Sequence, residues 1–393
     1  MQTSTIEMPT IDMPAKESAK EIVPPVAGAA VLAREAQFSD YDSIAALMQR
    51  YGMETYARED WEGLWRGNPV YERRSGDWPI GWVLESSDSR VVGFSGNIPV
   101  ACSFGGKDLT AAVTSAWVVD ADCRSHSMLL ASKYFAQKNV DLLLNTTAIH
   151  VAGQIFRAFH AKPIPVEGLE TALFWVLDYR GFALSSLVRK GVPLAGVASY
   201  PAGAGLSVLA AIKSRASSGR DLPCVKAVAD FDERFDGLWQ KLKERTDVLF
   251  SERDCETLQW HFQRSLRSNG LWIYTYETEG RLTSYAIFQR QDKADVGLTR
   301  MRLVDFQSVD ANPLILDAMI AAGLHRAKAE GVQMLEVLGF SGAVRSRLEK
   351  LAPFRRKLPS QLYFYKALSK ELKTRLAAPQ AWQPSSYDGD SSL

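Results

Sequence analysis

Cysteine is scarce in this chain, and the few present do not cluster. Cys102, Cys123, Cys224 and Cys255 form no CxxC pair and have no histidine at metal-ligand spacing. That excludes a disulfide scaffold and a structural zinc site. The four thiols read as small buried apolar residues of a cytoplasmic protein. Excess charge is missing too. Lys and Arg number 46 against 45 Asp and Glu, a formal net charge of +1, so no global field draws the chain to nucleic acid. The densest basic run, Arg355–Arg356–Lys357, reads as a solvated turn. No Walker A loop, HExxH or GxSxG motif occurs, and no metal-spaced set of His, Asp and Glu, so no metal is expected.

The opening residues lack a basic region followed by an apolar one, so no secretory signal is read there. One stretch is long and uncharged. Gly191 to Ile212 runs 22 residues without a formal charge, with Arg189 and Lys190 before it and Lys213 after it. Pro193, Pro201 and several glycines make it too poor in apolar residues for a transmembrane span. It reads as an interdomain connector with one short helix near Leu206–Ile212, a peripheral membrane contact being the alternative.

What remains is an ordinary globular composition, 46% hydrophobic over 393 residues, enough for two or three domains. Residues 1–28 are rich in Pro, Ser, Thr and Glu and are expected to be disordered, and residues 370–393 to be a flexible tail. Between them lie two blocks, 29–181 and 225–369, joined by the connector 182–224. Each runs from an N-terminal helical region through antiparallel strands to helix, strand, helix and closing strand. The closing strands are TALFWVLDY and QLYFYKA. That order predicts an α/β fold in which each block is a mixed, mostly antiparallel sheet flanked by helices.

The blocks also echo each other in residues. Glu59-Asp60-x-Glu62-x-Leu64-Trp65 matches Arg253-Asp254-x-Glu256-x-Leu258-Gln259-Trp260. Arg90-Val91-Val92-Gly93-Phe94 matches Arg281-Leu282-Thr283-Ser284-Tyr285, roughly 190 residues later in both cases. Two matches at nearly the same offset point to a duplication.

Thr114 to Pro165, TSAWVVDADCRSHSMLLASKYFAQKNVDLLLNTTAIHVAGQIFRAFHAKPIP, resembles the core of GNAT acyltransferases. More closely, the chain is similar to double-GNAT proteins found among bacterial surface-polysaccharide genes. The resemblance implies an acyl-CoA co-substrate, acetyl-CoA or another. A strand, Ala116–Asp120, would present the N–H groups of Val118 and Val119 to the pantetheine arm and the thioester carbonyl. The following turn, Arg124-Ser125-His126-Ser127-Met128-Leu129, would hold the diphosphate at a helix start. The family's loop is Arg/Gln-x-x-Gly-x-Gly/Ala. Here Ser127 and Leu129 stand where glycines belong.

A later family motif aligns to Ile149-x-x-Ala152-x-x-Ile155-Phe156-x-x-x-His160-Ala161. Phe156 replaces the tyrosine that protonates the departing thiolate in many relatives. His150, His160 and Tyr134 are therefore the candidate acids. Asn145, Thr146 and Thr147 fall where the fold places acceptor or cofactor contacts, with helix capping as the alternative for the threonines. In the second block Pro313 replaces any phosphate loop, so that copy is expected to wall an acceptor cleft, with Asp305 and Glu336 as acceptor ligands or as a salt-bridged pair.

Three readings follow. One is acyl transfer to an amine or hydroxyl of a small-molecule or saccharide acceptor. The second is a catalytically inactive scaffold, and the third an aminoacyl transfer from tRNA, which the near-zero charge disfavours.

Overall fold

The computed structural model describes residues 31–74, 77–213, 222–358 and 362–393. The expected disordered lead-in, residues 1–28, lies outside the described residues, as does part of the connector. The first half of the chain supplies β1 (Val31–Glu35), β2 (Gly81–Ser86), β3 (Val91–Phe104), β4 (Lys107–Val119), β5 (Leu142–Ala148), β6 (Lys162–Pro163) and β7 (Thr171–Val176). The second supplies β8 (Lys226–Val228), β9 (Phe250–Ser251), β10 (Leu271–Thr278), β11 (Arg281–Arg290), β12 (Arg300–Ser308), β13 (Met334–Val337), β14 (Phe354–Lys357) and β15 (Leu362–Ala367).

These strands form two sheets. One has the order β1-β2-β3-β4-β5-β15-β6, with β9 on the free edge of β3; the other has the order β8-β10-β11-β12-β13-β7-β14. Position by position the two orders correspond. Each has one parallel pair, β4 with β5 and β12 with β13, in an otherwise antiparallel sheet. The mixed α/β architecture matches the expectation, and the shared order supports duplication. The echoed tryptophans are both buried, Trp65 on the core of the first sheet and Trp260 beside it, where its indole N–H donates to Gly63 O at 2.9 Å. The β10–β11 hairpin turns at Glu279–Gly280 as the sequence indicates, both residues having positive φ.

Three expectations are corrected. The closing strands are exchanged: β7 pairs with β13 and β14 of the second half, and β15 pairs with β5 and β6 of the first. Each block's last strand thus completes the other block's sheet. A continuous apolar run such as Leu173–Val176 identifies a strand buried on both faces, but nothing in it names its neighbours.

The tail is not flexible. Lys370–Arg375 is a helix, and beyond it Trp382, Ser385, Tyr387, Asp388 and Ser392 are all buried. The polar composition misleads because its groups are matched: Asp388 accepts from Ser251 Oγ at 2.7 Å and pairs with Arg253 at 3.2 Å. The tail runs between β12 and β13 where their ladder ends at Leu303 and Val337. There Tyr387 N–H donates to Val304 O at 3.0 Å and Phe340 N–H to Pro384 O at 2.6 Å.

The connector is more helical than its Gly and Pro content indicates. Helices Tyr179–Arg189 and Ala195–Lys213 pack as a hairpin, with Pro201 inside the second. Propensity is a weak prior, and here packing overrides it.

Candidate functional site

The site begins where β4 and β5 part. Their parallel ladder covers only Ala111–Val113 against Leu142–Leu144. Beyond it β5 stays with β15, while β4 bulges opposite Phe94 and Gly96 with Ala116 in the left-handed region, φ 49°. At the fork stands Tyr134. Its hydroxyl lies 2.8 Å from Ala112 O and 2.9 Å from Leu144 O, so its one hydrogen serves a carbonyl of each strand.

Strand alternation decides which amides face the opening. Asp120 N–H donates to Val92 O on β3 at 2.8 Å. Two residues back, Val118 N–H points the same way, and Val119 N–H points to the splayed edge. Of the two amides expected to receive the thioester arm, Val119 alone is directed there.

Beside the bulge lies a cavity of ≈ 290 Å³. Ile44, Met48, Met53, Leu64, Phe94 and Ile98 form its apolar wall, and Ser115 and Ala116 of the bulge border it. Its polar groups include Glu54, Thr55, Tyr56 and Asp390. Asp390 is half-buried in that wall, and desolvation pushes its carboxyl up against the pull of two hydroxyl donors. Those donors are Thr146 Oγ1 at 3.1 Å and Thr147 Oγ1 at 3.0 Å. It makes no ion pair among the described residues. Gly389, φ 111°, lets the tail approach so closely that any side chain there would collide with Thr146. Tyr56 O–H donates to Leu393 O at 3.2 Å, and burial raises its pKa as well.

Asn145, Thr146 and Thr147 do not line the cavity themselves; the two threonine hydroxyls hold the tail through Asp390. They do not cap the next helix, which has no side-chain cap. Asn145 Oδ1 accepts from Thr147 N–H at 3.2 Å and so shapes the same strand end.

The expected diphosphate turn is wound rather than open. Ala121–His126 forms a 3-10 turn that runs into helix Ser127–Phe135. Ala121 N–H donates to Tyr51 Oη at 2.7 Å, Cys123 N–H to Asp120 O at 2.9 Å, and Ser127 N–H to Arg124 O. Without glycines the backbone takes the right-handed path and spends these amides internally. Arg124 and Ser125 are exposed, and His126 is half-buried with its Nδ1 3.4 Å from Ser125 Oγ. Met128 and Leu129 are exposed, and so is Ile149 at the start of the helix after β5. Three apolar side chains thus rim the helix starts that follow the forked strands. Of the amides in the expected turn, Ser127 N–H is thus committed to Arg124 O, and a diphosphate could meet the exposed Arg124 side chain.

Of the candidate acids, Tyr134 lies under the fork and His160 away from it. Tyr134 is buried with its hydroxyl hydrogen engaged by Ala112 O and Leu144 O, and burial drives its phenol far above the usual range. His160 is exposed at the C-terminal end of helix His150–Ala158, with φ 63°, remote from the end that meets β5. His150 opens that helix, and its side chain lies outside the described residues.

The two second-half carboxylates are structural. Asp305 is fully enclosed by Arg253 Nε at 2.9 Å, Tyr285 Oη at 2.7 Å and Ser385 Oγ at 3.0 Å. Burial pushes its carboxyl up, but Arg253 and these donors more than offset that and hold it below the usual range. Glu336 meets Arg300 and Arg302 at 2.8 Å and Arg356 at 2.5 Å. Burial again opposes ionisation and the three guanidiniums overcome it, while Arg300, buried beside Arg302, is pushed down to about 10. Neither carboxylate lines the cavity.

Sequence reasoning missed Asp390, Tyr56 and Ala116. The available signal for Asp390 was Trp382 and Tyr387, large aromatics in a segment otherwise read as solvated. Among the described residues no group of His, Cys, Asp and Glu could hold a metal ion, and no helix is long and apolar enough to cross a membrane.

No protein-family model matches this chain, and no curated protein matches it in sequence. Solved structures do match in fold. A GCN5-related N-acetyltransferase from Anabaena variabilis gives a TM-score of 0.53 at 12% identity, covering 86% of this chain and 73% of that one. One from Kribbella flavida gives 0.51 at 14% identity, covering 86% and 71%. Saccharomyces cerevisiae N-myristoyltransferase with bound myristoyl-CoA gives 0.53 at 13% identity, covering 93% and 90%. At such identities the likeness is one of fold: two mixed sheets flanked by helices, as in the GCN5-related N-acetyltransferases.

Proposed function

We propose that the chain transfers an acyl group from a coenzyme A thioester to an amine or hydroxyl seated in the cavity beside Ala116. The observation that carries this reading is the meeting of three features: a forked β4–β5 edge, a mainly apolar cavity, and a half-buried carboxylate, Asp390, in its wall. The thioester arm lies along the fork, with Val119 N–H facing the edge where the carbonyl oxygen gains charge. Asp390 takes a proton from the acceptor as the acceptor's lone pair attacks the carbonyl carbon. The tetrahedral centre then collapses, the C–S bond breaks, and the thiolate leaves with the electron pair. A thiol has a pKa of about 8.5, so its anion departs without a side-chain acid. Phe156 is then no obstacle.

The acceptor classes read from the sequence were a sugar, an amine or a polysaccharide precursor. The apolar wall favours an acceptor that carries its amine or hydroxyl on an apolar body, any saccharide part remaining outside. The acyl group, acetyl or longer, is bounded by the same walls. We place the reaction in the cytoplasm, where such thioesters are made.

Purified protein is offered acetyl-CoA and longer acyl-CoAs with a panel of primary amines and alcohols, and thiol release is followed. Release that depends on the acceptor and is lost in Asp390→Asn supports the reading. A second reading, a binding protein without turnover, is favoured by the wound 121–126 turn. Calorimetry separates the two. CoA binding that weakens in Arg124→Ala with acceptor-dependent release supports the enzyme, and absence of any CoA binding ends the case for thioester chemistry.

A further inference from the structure

The helical hairpin between the halves has an outer face that does not suit water. Along helix Ala195–Lys213, Val197, Pro201, Ala204 and Val208 are exposed and spaced to share one face, with Tyr200 beside them. Val197 is 70% exposed, Tyr200 58% and Val208 60%, and Leu194 just before the helix is 80% exposed. Ser199 and Gly203 are turned inward instead. A Cβ at Gly203 would lie 3.1 Å from the Arg180 backbone, so close packing on the first helix fixes which face looks out. Water-facing helix surfaces carry charges; from Ala195 to Val208 this one carries none, and its apolar stripe is the outer one.

Charge gathers at the rim. Between 178 and 208 there are three cations, Arg180, Arg189 and Lys190, against one acid, Asp178. Asp178 is engaged in capping the first helix through the N–H groups of Arg180 and Gly181. Arg180 stands exposed with its guanidinium 4.0 Å over the Tyr200 ring, and Arg189 and Lys190 are exposed at the turn of the hairpin.

We propose that this face rests on an anionic lipid bilayer, the valines and Leu194 entering the acyl boundary and the rim cations meeting headgroups. Tyr200, apolar in its ring and polar at its tip, belongs at that depth. The helix lies on the surface and does not span it, because its inner face is committed to the protein. A second copy fits less well, since a two-fold contact through this face would bring the two sets of rim cations together. The inference is independent of acyl transfer.

The test is co-sedimentation of the full chain with vesicles of phosphatidylcholine alone or of phosphatidylcholine with phosphatidylserine. Binding is expected with the anionic vesicles, falling as salt is raised, and little with the neutral ones. Val197→Asp and Val208→Asp, both at exposed positions, should each weaken it by about tenfold or more with unchanged melting. Arg180→Glu with Arg189→Glu should abolish the preference for phosphatidylserine. No sedimentation with either vesicle overturns the proposal, as does binding indifferent to the aspartate variants. So does a wild-type dimer that Val197→Asp converts to monomer without any vesicle binding, which would make the face a self-contact.

Discussion

Asp390 accepts a hydrogen bond from Thr147, its Oδ1 3.0 Å from the threonine hydroxyl, joining residues 243 apart in the chain. With Thr146 on the same oxygen at 3.1 Å, the contact delivers a carboxylate from the second half's tail to a cavity built by the first. Hydroxyls orient it but do not neutralise it, and that is the state a general base requires.

Replacing Asp390 with Asn should lower acyl transfer by about 10²–10³-fold while raising the melting temperature. The sign follows from its raised pKa. A carboxyl raised in the fold stabilises it only while protonated, and that benefit is lost as pH rises through the folded value. At neutral pH the partly desolvated charge is a cost that Asn removes. The wild-type kcat/KM should rise with pH along an acid limb that the variant lacks, as pH–rate profiles would reveal.

Tyr134→Phe should destabilise by about 1–3 kcal/mol, because Ala112 O and Leu144 O lose their shared donor at a buried position. Turnover by the folded protein should change little. Denaturant melts beside steady-state rates distinguish this from the acid role considered for Tyr134, which would abolish turnover without a comparable loss of stability.

Arg253→Ala leaves Asp305 and Asp388 buried with their cation gone and should cost about 3–5 kcal/mol. The tail depends on that guanidinium, so limited proteolysis should cut between residues 382 and 393 in the variant before it cuts elsewhere. Resistance equal to wild type would mean that the tail is held by other contacts.

His261 supplies a pH response of the opposite sign to Asp390. It is enclosed, 2.8 Å from Ser392 Oγ and stacked near Tyr387, and burial pushes its pKa down to about 3. The unfolded chain takes up this proton near pH 6.5 and the folded chain does not, so stability falls as pH drops below about 6.5 and continues to fall until about 3. His261→Phe should flatten that part of a stability–pH curve measured by urea unfolding.

The sequence carried the strands and helices of both blocks because their apolar periods are local properties. It also carried the two strands that border the fork, the one before Asp120 and Leu142–Ala148, but not their parting. It did not carry partnership. Nothing in Thr171–Val176 distinguishes a strand that closes its own sheet from one that closes another. Asp390 was hidden for a related reason: a run of Ser, Asp and Gly looks solvated until the buried hydroxyls and guanidinium that satisfy it are known. The expected turn, Arg124–Leu129, falls across the end of a 3-10 turn and the start of a helix, because a chain without glycines there follows a right-handed path.

The crossing of β7 and β15 makes the two halves unable to part. Cutting the chain between residues 213 and 222 would leave one piece with an unzipped edge at β5 and the other with an unzipped edge at β13, each carrying the strip the other needs. Expressed singly, such pieces should aggregate; expressed together, they should rebuild a single particle.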